Sequence, residues 1–343
     1  MKAMILESLA ELSEGSAPLR LRNWRDPTPG DGEVLLDVLT CGVCHTELDE
    51  IEGRTPPPRL PVIPGHQVVG RVLETGAGVT GIPVGKRLGV AWIHSSCGHC
   101  PQCLAGCENL CPDFRATGRD VHGGYAERMV VPAAFTYAIP DIYGDAEAAP
   151  LLCAGAIGYR SLRLAKLRDG QPLGLMGFGA SAHLVLQLAR FRFPASPVFV
   201  FARQAEERAF AIALGAAWAG EVTAAAPEPL AAIIDTTPAW NTVLAALANL
   251  LPGGRLVINA IRKEESDKAA LLRLDYPRHL WLEKRIQSVA NVTRADVSEF
   301  LSLAARIPIR PVVEEYPLAD ANRALVALKH HHTRGAKVLR IRS

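Results

Sequence analysis

Five of the chain's eight cysteines fall within fifteen residues: Cys97, Cys100, Cys103, Cys107 and Cys111. Short loops between successive thiols can point several sulfurs at one centre. The spacing C-x2-C-x2-C-x7-C at 97, 100, 103 and 111 suits a tetrahedral zinc ion. On spacing alone, Cys107 stands as a rival fourth ligand. The competing use of such a cluster is a disulfide framework, but that belongs to small secreted domains with little core. This chain has 343 residues, 49% of them hydrophobic and 21% charged, enough for a large core and for two domains. A structural metal in a lobe at about residues 95–113 is the expectation.

The net charge of +2 gives no electrostatic reason to bind nucleic acid or a membrane surface. No stretch of about 18 uncharged apolar residues is present to span a bilayer. The opening MKAMILESLAEL is interrupted by Glu7 and Glu11 and carries no signal-peptide pattern. A reducing, cytoplasmic setting is expected, and there clustered thiols serve a metal.

Two styles of sequence follow one another. Residues 1–150 are rich in Gly and Pro with short apolar runs at Val34–Leu39, Val68–Leu73 and Arg87–Ala91, which read as an irregular β body. From near Ala148, apolar strands at Leu173–Met176, Val198–Phe201, Ala231–Asp235 and Arg255–Ala260 alternate with helical segments at His183–Arg190, Gln204–Leu214 and Asn241–Leu250. That alternation predicts βαβ units and a doubly wound parallel sheet over residues 151–292. Residues 293–343 hold a helix at Asp296–Arg306 and strands at Val312–Tyr316 and Lys337–Ile341. The run Lys329-His330-His331-His332 reads as a solvated helix end.

The first strand of the α/β half runs straight into Gly177, Phe178, Gly179, Ala180, Ser181 and Ala182. This is a G-x-G-x-x-A dinucleotide fingerprint. Gly177 permits a tight turn, Gly179 lets the backbone approach a pyrophosphate, and Ala182 keeps the helix close to the strand. The next strand ends at Ala202-Arg203 with no acidic residue to hold a ribose 2′-hydroxyl. A guanidinium suits a 2′-phosphate, so Arg203 favours NADP over NAD, although Glu206 and Glu207 lie close by.

Three cysteines remain. Cys41 and Cys44 lie ahead of His66, and Cys153 lies where the two styles of sequence meet. One His and two Cys make the ligand set of a catalytic zinc with an open position, and a domain junction is where a cleft is expected. Spacing does not rank Cys41 above Cys44, and Cys153 by itself reads equally well as a buried core residue.

The segments Cys41-Gly-Val-Cys-His-Thr-Glu-Leu48, Pro64-Gly-His66, the four-cysteine lobe, Leu152-Cys-Ala-Gly155 and the Gly177 loop occur in the order of the zinc-dependent medium-chain alcohol dehydrogenases, which the chain resembles over nearly its whole length. Gly177–His183 and Arg285–Thr293 resemble a prokaryotic subgroup. The resemblance implies a GroES-like catalytic domain followed by a Rossmann cofactor domain, with residues 293–343 returning to the first. It implies two zinc ions per chain, one on Cys44, His66 and Cys153 and one on Cys97, Cys100, Cys103 and Cys111, with Cys41 and Cys107 outside both sets. Thr46 is implied as the hydroxyl that meets the substrate oxygen, His45 and Lys337 as contacts to the cofactor phosphates, and Trp92 as a wall of the substrate pocket. Homodimers and homotetramers are both implied.

Two positions depart from the family pattern. Gln67 stands where the family has a glutamate able to approach the zinc, and Asp49 stands where a relay histidine is common. Asp49 could take a proton, but a carboxylate normally titrates near pH 4. The expected reaction is zinc-dependent reversible oxidation of an alcohol to an aldehyde or ketone with NAD(P). The alternatives are NADPH-linked reduction of an activated C=C bond, which needs no catalytic zinc, and a non-catalytic NADP-binding zinc protein.

Overall fold

A computed structural model describes residues 1–307, 309–330 and 335–342 and divides into two compact units. One joins Met1–Ala156 to Asn291–Ser343; the other is Ile157–Ala290.

The first unit is built on a long strand, Glu33–Val43. Its inward positions are Val34, Leu36 and Val38, and beyond these it is buried almost continuously from Thr40 to Val43. Strands Val68–Thr75 and Arg128–Pro132 pair with it antiparallel, as does Ala336–Arg340 near the chain's end. The seven-stranded sheet is completed by Arg87–Val90, Thr136–Ala138 and Val313–Pro317. The N-terminal Lys2–Leu6 pairs with Leu19–Asn23; the sequence pattern did not reveal this hairpin because one partner, LRLRN, exposes four of its five residues. The expected GroES-like irregular β body is therefore present, but the partner strands of its central sheet come from both ends of the chain.

Three departures from regular structure set the site in this unit. The long strand ends at Val43, and the seven-residue helix His45–Ile51 starts at once with Cys44 as its N-cap. One arm of a capping box is made: the Cys44 amide donates to Glu47 Oε2 at 2.8 Å, which fixes the Glu47 side chain over the first turn. Gly65 adopts φ +99, and the next residue, His66, leads into Val68–Thr75. The helix Asp145–Pro150 widens into a single π turn, Leu151–Gly155, that carries Cys153. Such bulges re-aim one side chain inside an otherwise regular helix.

The second unit is a six-stranded, all-parallel sheet in the spatial order Trp218–Gly220, Val198–Phe201, Leu173–Met176, Leu230–Asp235, Leu250–Ile258, Arg285–Ser288. That is the order 3-2-1-4-5-6 of a Rossmann fold. Leu173–Met176 and Val198–Phe201 are buried at every position, as strands covered on both faces must be. Helices Ala182–Arg192, Ala205–Ala213 and Asn241–Asn249 supply the cover. The edge strand Arg285–Ser288 escapes periodicity because three of its four residues are exposed. Among the described residues no helix is long and apolar enough to cross a membrane. Lys329 and His330 close the helix Ala321–His330; the Lys329 ammonium sits on Glu52 and the Leu12 carbonyl, each at 2.5 Å, so this end is tied down more than its composition suggested. His331 and His332 lie outside the described residues.

A Cβ at Gly65 would stand 2.3 Å from the Tyr125 ring and 2.8 Å from Cys41 Sγ, on a backbone that L side chains rarely adopt. Gly65→Ala is predicted to destabilise the protein by about 3 kcal/mol in urea unfolding, from strain plus overpacking. A loss below about 0.5 kcal/mol would show that this turn is not held as described.

Candidate functional site

Cys44, His66 and Cys153 converge in the first unit, with one ligand atom from each lying within 4.8 Å of the others. His66 Nε2 is 3.2 Å from Cys153 Sγ. Thiolate and imidazole ligands around zinc at about 2.3 and 2.0 Å stand about 3.5 Å apart, so the set fits a shared ion. Cys41 is not part of it. Its sulfur is fully buried between Gly65 and Gly124, and burial pushes its thiol well above the usual range. The structure thus separates two cysteines that spacing left equivalent.

The local electrostatics suit a cation. Cys44 is held well below the ordinary thiol range, first by the hydrogen bond from Cys153 and then by His66, against the cost of burial. Cys153, as the donor of that bond, is pushed up correspondingly. Burial opposes a charge on His66, but the Glu47 carboxylate and Cys44 outweigh it and raise the imidazole well above its usual value. A bound dication would take the place of that proton.

Glu47 is the functional residue that sequence reasoning missed. Its Oε1 lies 2.6 Å from His66 Nδ1, with both side chains essentially inaccessible. No hydrogen bond from any other described residue reaches either atom. This contact leaves Nε2 as the free ligand nitrogen, the carboxylate–histidine arrangement that supports metal-binding imidazoles. The available signal was a glutamate three residues after a helix-capping cysteine, and it reads as an ordinary cap until the fold places His66 beside it.

The other expected residues take varied positions. Thr46 Oγ1 is 3.6 Å from Cys44 Sγ, close to the ligand set. His45 is exposed on the first turn of its helix. Trp92 has its ring 6.3 Å from that of His66 and 5.7 Å from Phe114, and its Nε1 is buried with no hydrogen-bond partner. Gln67 is buried with its amide against Gly42. Asp49 is buried and ion-paired to Arg54 Nε at 2.6 Å. The Lys337 ammonium is buried on Glu314 at 2.5 Å and the Tyr316 hydroxyl at 3.2 Å, so a phosphate contact would require it to exchange those partners.

In the cysteine lobe, Cys97, Cys100, Cys103 and Cys111 form the second convergent set, and Cys107 is outside it. Cys97 Sγ lies 3.5 Å from Cys111 Sγ and 3.9 Å from Cys103 Sγ. A tetrahedron of about 2.3 Å zinc–sulfur bonds has edges of about 3.8 Å. Backbone amides point at the sulfurs: Cys100 N donates to Cys97 Sγ at 3.3 Å and Cys103 N to Cys100 Sγ at 3.4 Å. Such donors favour thiolates, and a hydrogen bond from Ser96 helps to bring Cys103 down to about 7.

In the second unit the fingerprint loop is braced from below. Gly177 has φ +82, and a Cβ there would meet Thr236 Oγ1 at 2.9 Å. Thr236 donates its hydroxyl to the Met176 carbonyl, and Thr237 is held by buried Asp235, whose Oδ1 accepts from the Thr237 amide and hydroxyl and whose Oδ2 accepts from Lys263 at 2.6 Å. A Cβ on Gly179 would meet nothing within 4 Å, so the backbone there is bare to an approaching group. His183 steadies this turn, with Nδ1 3.1 Å from the Gly179 carbonyl. Arg203 is exposed just past Val198–Phe201. Arg208, also unremarked in sequence, donates to the carbonyls of Ala202 and Arg203 and fixes that strand end.

Comparison with known proteins gives a consistent picture. The family described as alcohol dehydrogenase GroES-like domain matches residues 30–141. A probable alcohol dehydrogenase AdhA of Mycobacterium tuberculosis is 44% identical over 331 residues, covering 95% of this chain and 94% of that protein. An alcohol dehydrogenase of Geobacillus stearothermophilus is 32% identical over 348 residues, covering 97% and 98%. Among solved structures, a cobalt- and zinc-bound thermostable alcohol dehydrogenase from Pyrobaculum aerophilum is similar with a TM-score of 0.87 at 27% identity, covering 99% of each chain.

Cys41 and Cys44 make opposite predictions. Cys44→Ala is expected to lose one bound metal equivalent in elemental analysis after gel filtration, whereas Cys41→Ala keeps it and loses only about 1 kcal/mol of stability. Equal metal loss in both variants would contradict the assignment.

Proposed function

The chain belongs to the zinc-dependent medium-chain alcohol dehydrogenases, and from that premise we propose that it oxidises a small alcohol to an aldehyde or ketone, reversibly, with NAD(P)⁺. As a member of that family it is an oxidoreductase acting on alcohols. The observation that carries the finer reading is the convergence of Cys44, His66 and Cys153 with Glu47 behind the histidine.

When bound there, zinc supplies Lewis-acid polarisation of the substrate oxygen, and the nicotinamide supplies the redox chemistry. The residues of the chain do the rest. Cys44, His66 and Cys153 would hold the ion, the two-Cys, one-His set of a catalytic zinc. Glu47 keeps the His66 ring oriented. The Thr46 hydroxyl, beside Cys44, accepts the proton of the alcohol. Trp92, packed next to His66, walls the substrate site with an apolar face. The amides of Gly177 to Ala182 would hold the pyrophosphate of the bound cofactor. Arg203, exposed and with no acid on its strand end, favours a 2′-phosphate and hence NADP. A second zinc on Cys97, Cys100, Cys103 and Cys111 holds the lobe together and takes no part in chemistry. The intact three-ligand set weighs against C=C reduction and against a purely structural role, neither of which needs it.

The same reading makes the protein a homo-oligomer, a dimer or tetramer. Leu272, Tyr276 and Trp281 are 90%, 58% and 55% exposed in the unit that carries the edge strand Arg285–Ser288. The Tyr276 and Trp281 rings lie 5.8 Å apart, and exposed apolar groups side by side are usually covered by a partner.

Cys153→Ala is expected to bind one zinc per chain where the natural protein binds two, and to lose alcohol oxidation by at least about a thousandfold, since the charge developing on oxygen loses its counterpart. Unchanged turnover would remove zinc from the chemistry. Arg203→Ala should lower kcat/KM for NADP at least about tenfold relative to NAD, the scale of one lost charge-assisted contact. An unchanged ratio would assign the preference elsewhere.

A further inference from the structure

The oxidation proposed above releases a proton, and the structure shows no ready outlet at the position the family resemblance points to. Asp49 is held by Arg54 at 2.6 Å, and its backbone carbonyl is occupied by the amides of Arg54 and Thr55. The adjacent residue differs. Glu50 lies in the same helix, His45–Ile51, and is 2% exposed. One of its carboxylate oxygens, Oε1, is fully buried with no hydrogen-bond partner. A buried carboxyl left in this state is costly unless it is neutral or serves a function.

Helical spacing places Glu50 in relation to the site. Thr46 and Glu50 are four residues apart and Glu47 and Glu50 three apart, so all three lie along one face of the helix. Cβ atoms one turn apart are about 5–6 Å from each other, a gap that the Glu50 side chain can span directly or through one water. We propose that Glu50 is the proton-relay residue of this chain, taking the proton that Thr46 receives from the alcohol.

The step balances. In alcohol oxidation, for which a bound nicotinamide would supply the acceptor of the C–H hydrogen and its electron pair, the substrate O–H bond breaks and its proton passes to Thr46 Oγ1. The Thr46 hydroxyl proton passes to a Glu50 carboxylate oxygen, forming a carboxylic O–H. Glu50 later releases it to solvent, and carbonyl reduction runs the path in reverse. Burial first, and then the neighbouring Glu47 carboxylate and Cys44, hold the Glu50 carboxyl well above the ordinary range, while His66 and Arg119 pull the other way. A carboxyl held above the ordinary range by burial is better matched to accepting and returning a proton than a solvated one. Glu50 acts through Thr46, so it is a positioning and relay group and not one that touches substrate. The inference rests on the dehydrogenase reading.

The test compares the zinc-loaded natural protein with Glu50→Gln and Glu50→Asp. Zinc content, cofactor affinity and thermal unfolding serve as controls. Glu50→Gln should keep its zinc and cofactor affinity, lose about a hundredfold in kcat for oxidation with little change in KM, and lose the pH-dependent limb of the kcat profile. Added imidazole should restore part of the rate, and Glu50→Asp should recover more of it than Gln. Infrared difference spectra should show a protonated-carboxyl band that titrates across the same limb in the natural protein and is missing in Glu50→Gln. If the natural protein turns over and Glu50→Gln keeps both its kcat and its pH limb, the relay is overturned and the dehydrogenase reading stands. If the natural protein oxidises no alcohol, that reading falls and takes the relay with it.

Discussion

The candidate metal centre depends on one buried contact, a carboxylate of Glu47 against the imidazole of His66 at 2.6 Å. Two ionisable groups with essentially no solvent exposure are a poor source of stability by themselves, because desolvation consumes most of their attraction. They gain a purpose when a third, cationic partner sits on the far ring nitrogen, where Cys44 and Cys153 also point. The same contact explains why the local backbone is unusual. The cap at Cys44 fixes Glu47, the left-handed turn at Gly65 delivers His66, and the π turn at Leu151–Gly155 delivers Cys153. Three departures from regular structure converge on one candidate metal set.

The lobe solves a related problem by different means. Its four cysteines are partly buried or buried, with Cys103 in the short helix Pro101–Leu104, and they are arranged by backbone amides aimed at sulfur and by short spacing. A structural site of four thiolates is closed and self-contained; the site at His66 keeps only three protein ligands and relies on a buried neighbour for orientation. The nucleotide unit shows a third strategy, in which buried Asp235, neutralised by Lys263, braces the loop that packs under Gly177.

Much of this was legible in the chain. Leu173–Met176 and Val198–Phe201 coincide with the apolar runs because a doubly covered parallel strand is apolar throughout. The glycine fingerprint and the cysteine lobe are local in sequence, so spacing alone exposes them. What spacing could not resolve depended on tertiary placement: Cys41 and Cys44 look alike until one packs against Gly65 and the other caps a helix beside His66. Glu47 and Glu50 look like solvated helix charges, and only folding buries them. The edge strand Arg285–Ser288 and the strand Leu19–Asn23 were hidden because exposed strands have no apolar signature.

The account stands or falls on where metal sits. Anomalous diffraction at the zinc edge, from crystals of the natural protein grown with zinc, measures this directly. The account predicts two peaks per chain, one within bonding distance of Cys44 Sγ, His66 Nε2 and Cys153 Sγ and one among Cys97, Cys100, Cys103 and Cys111. A single peak confined to the cysteine lobe, with Glu47 still against an unligated His66, would contradict it.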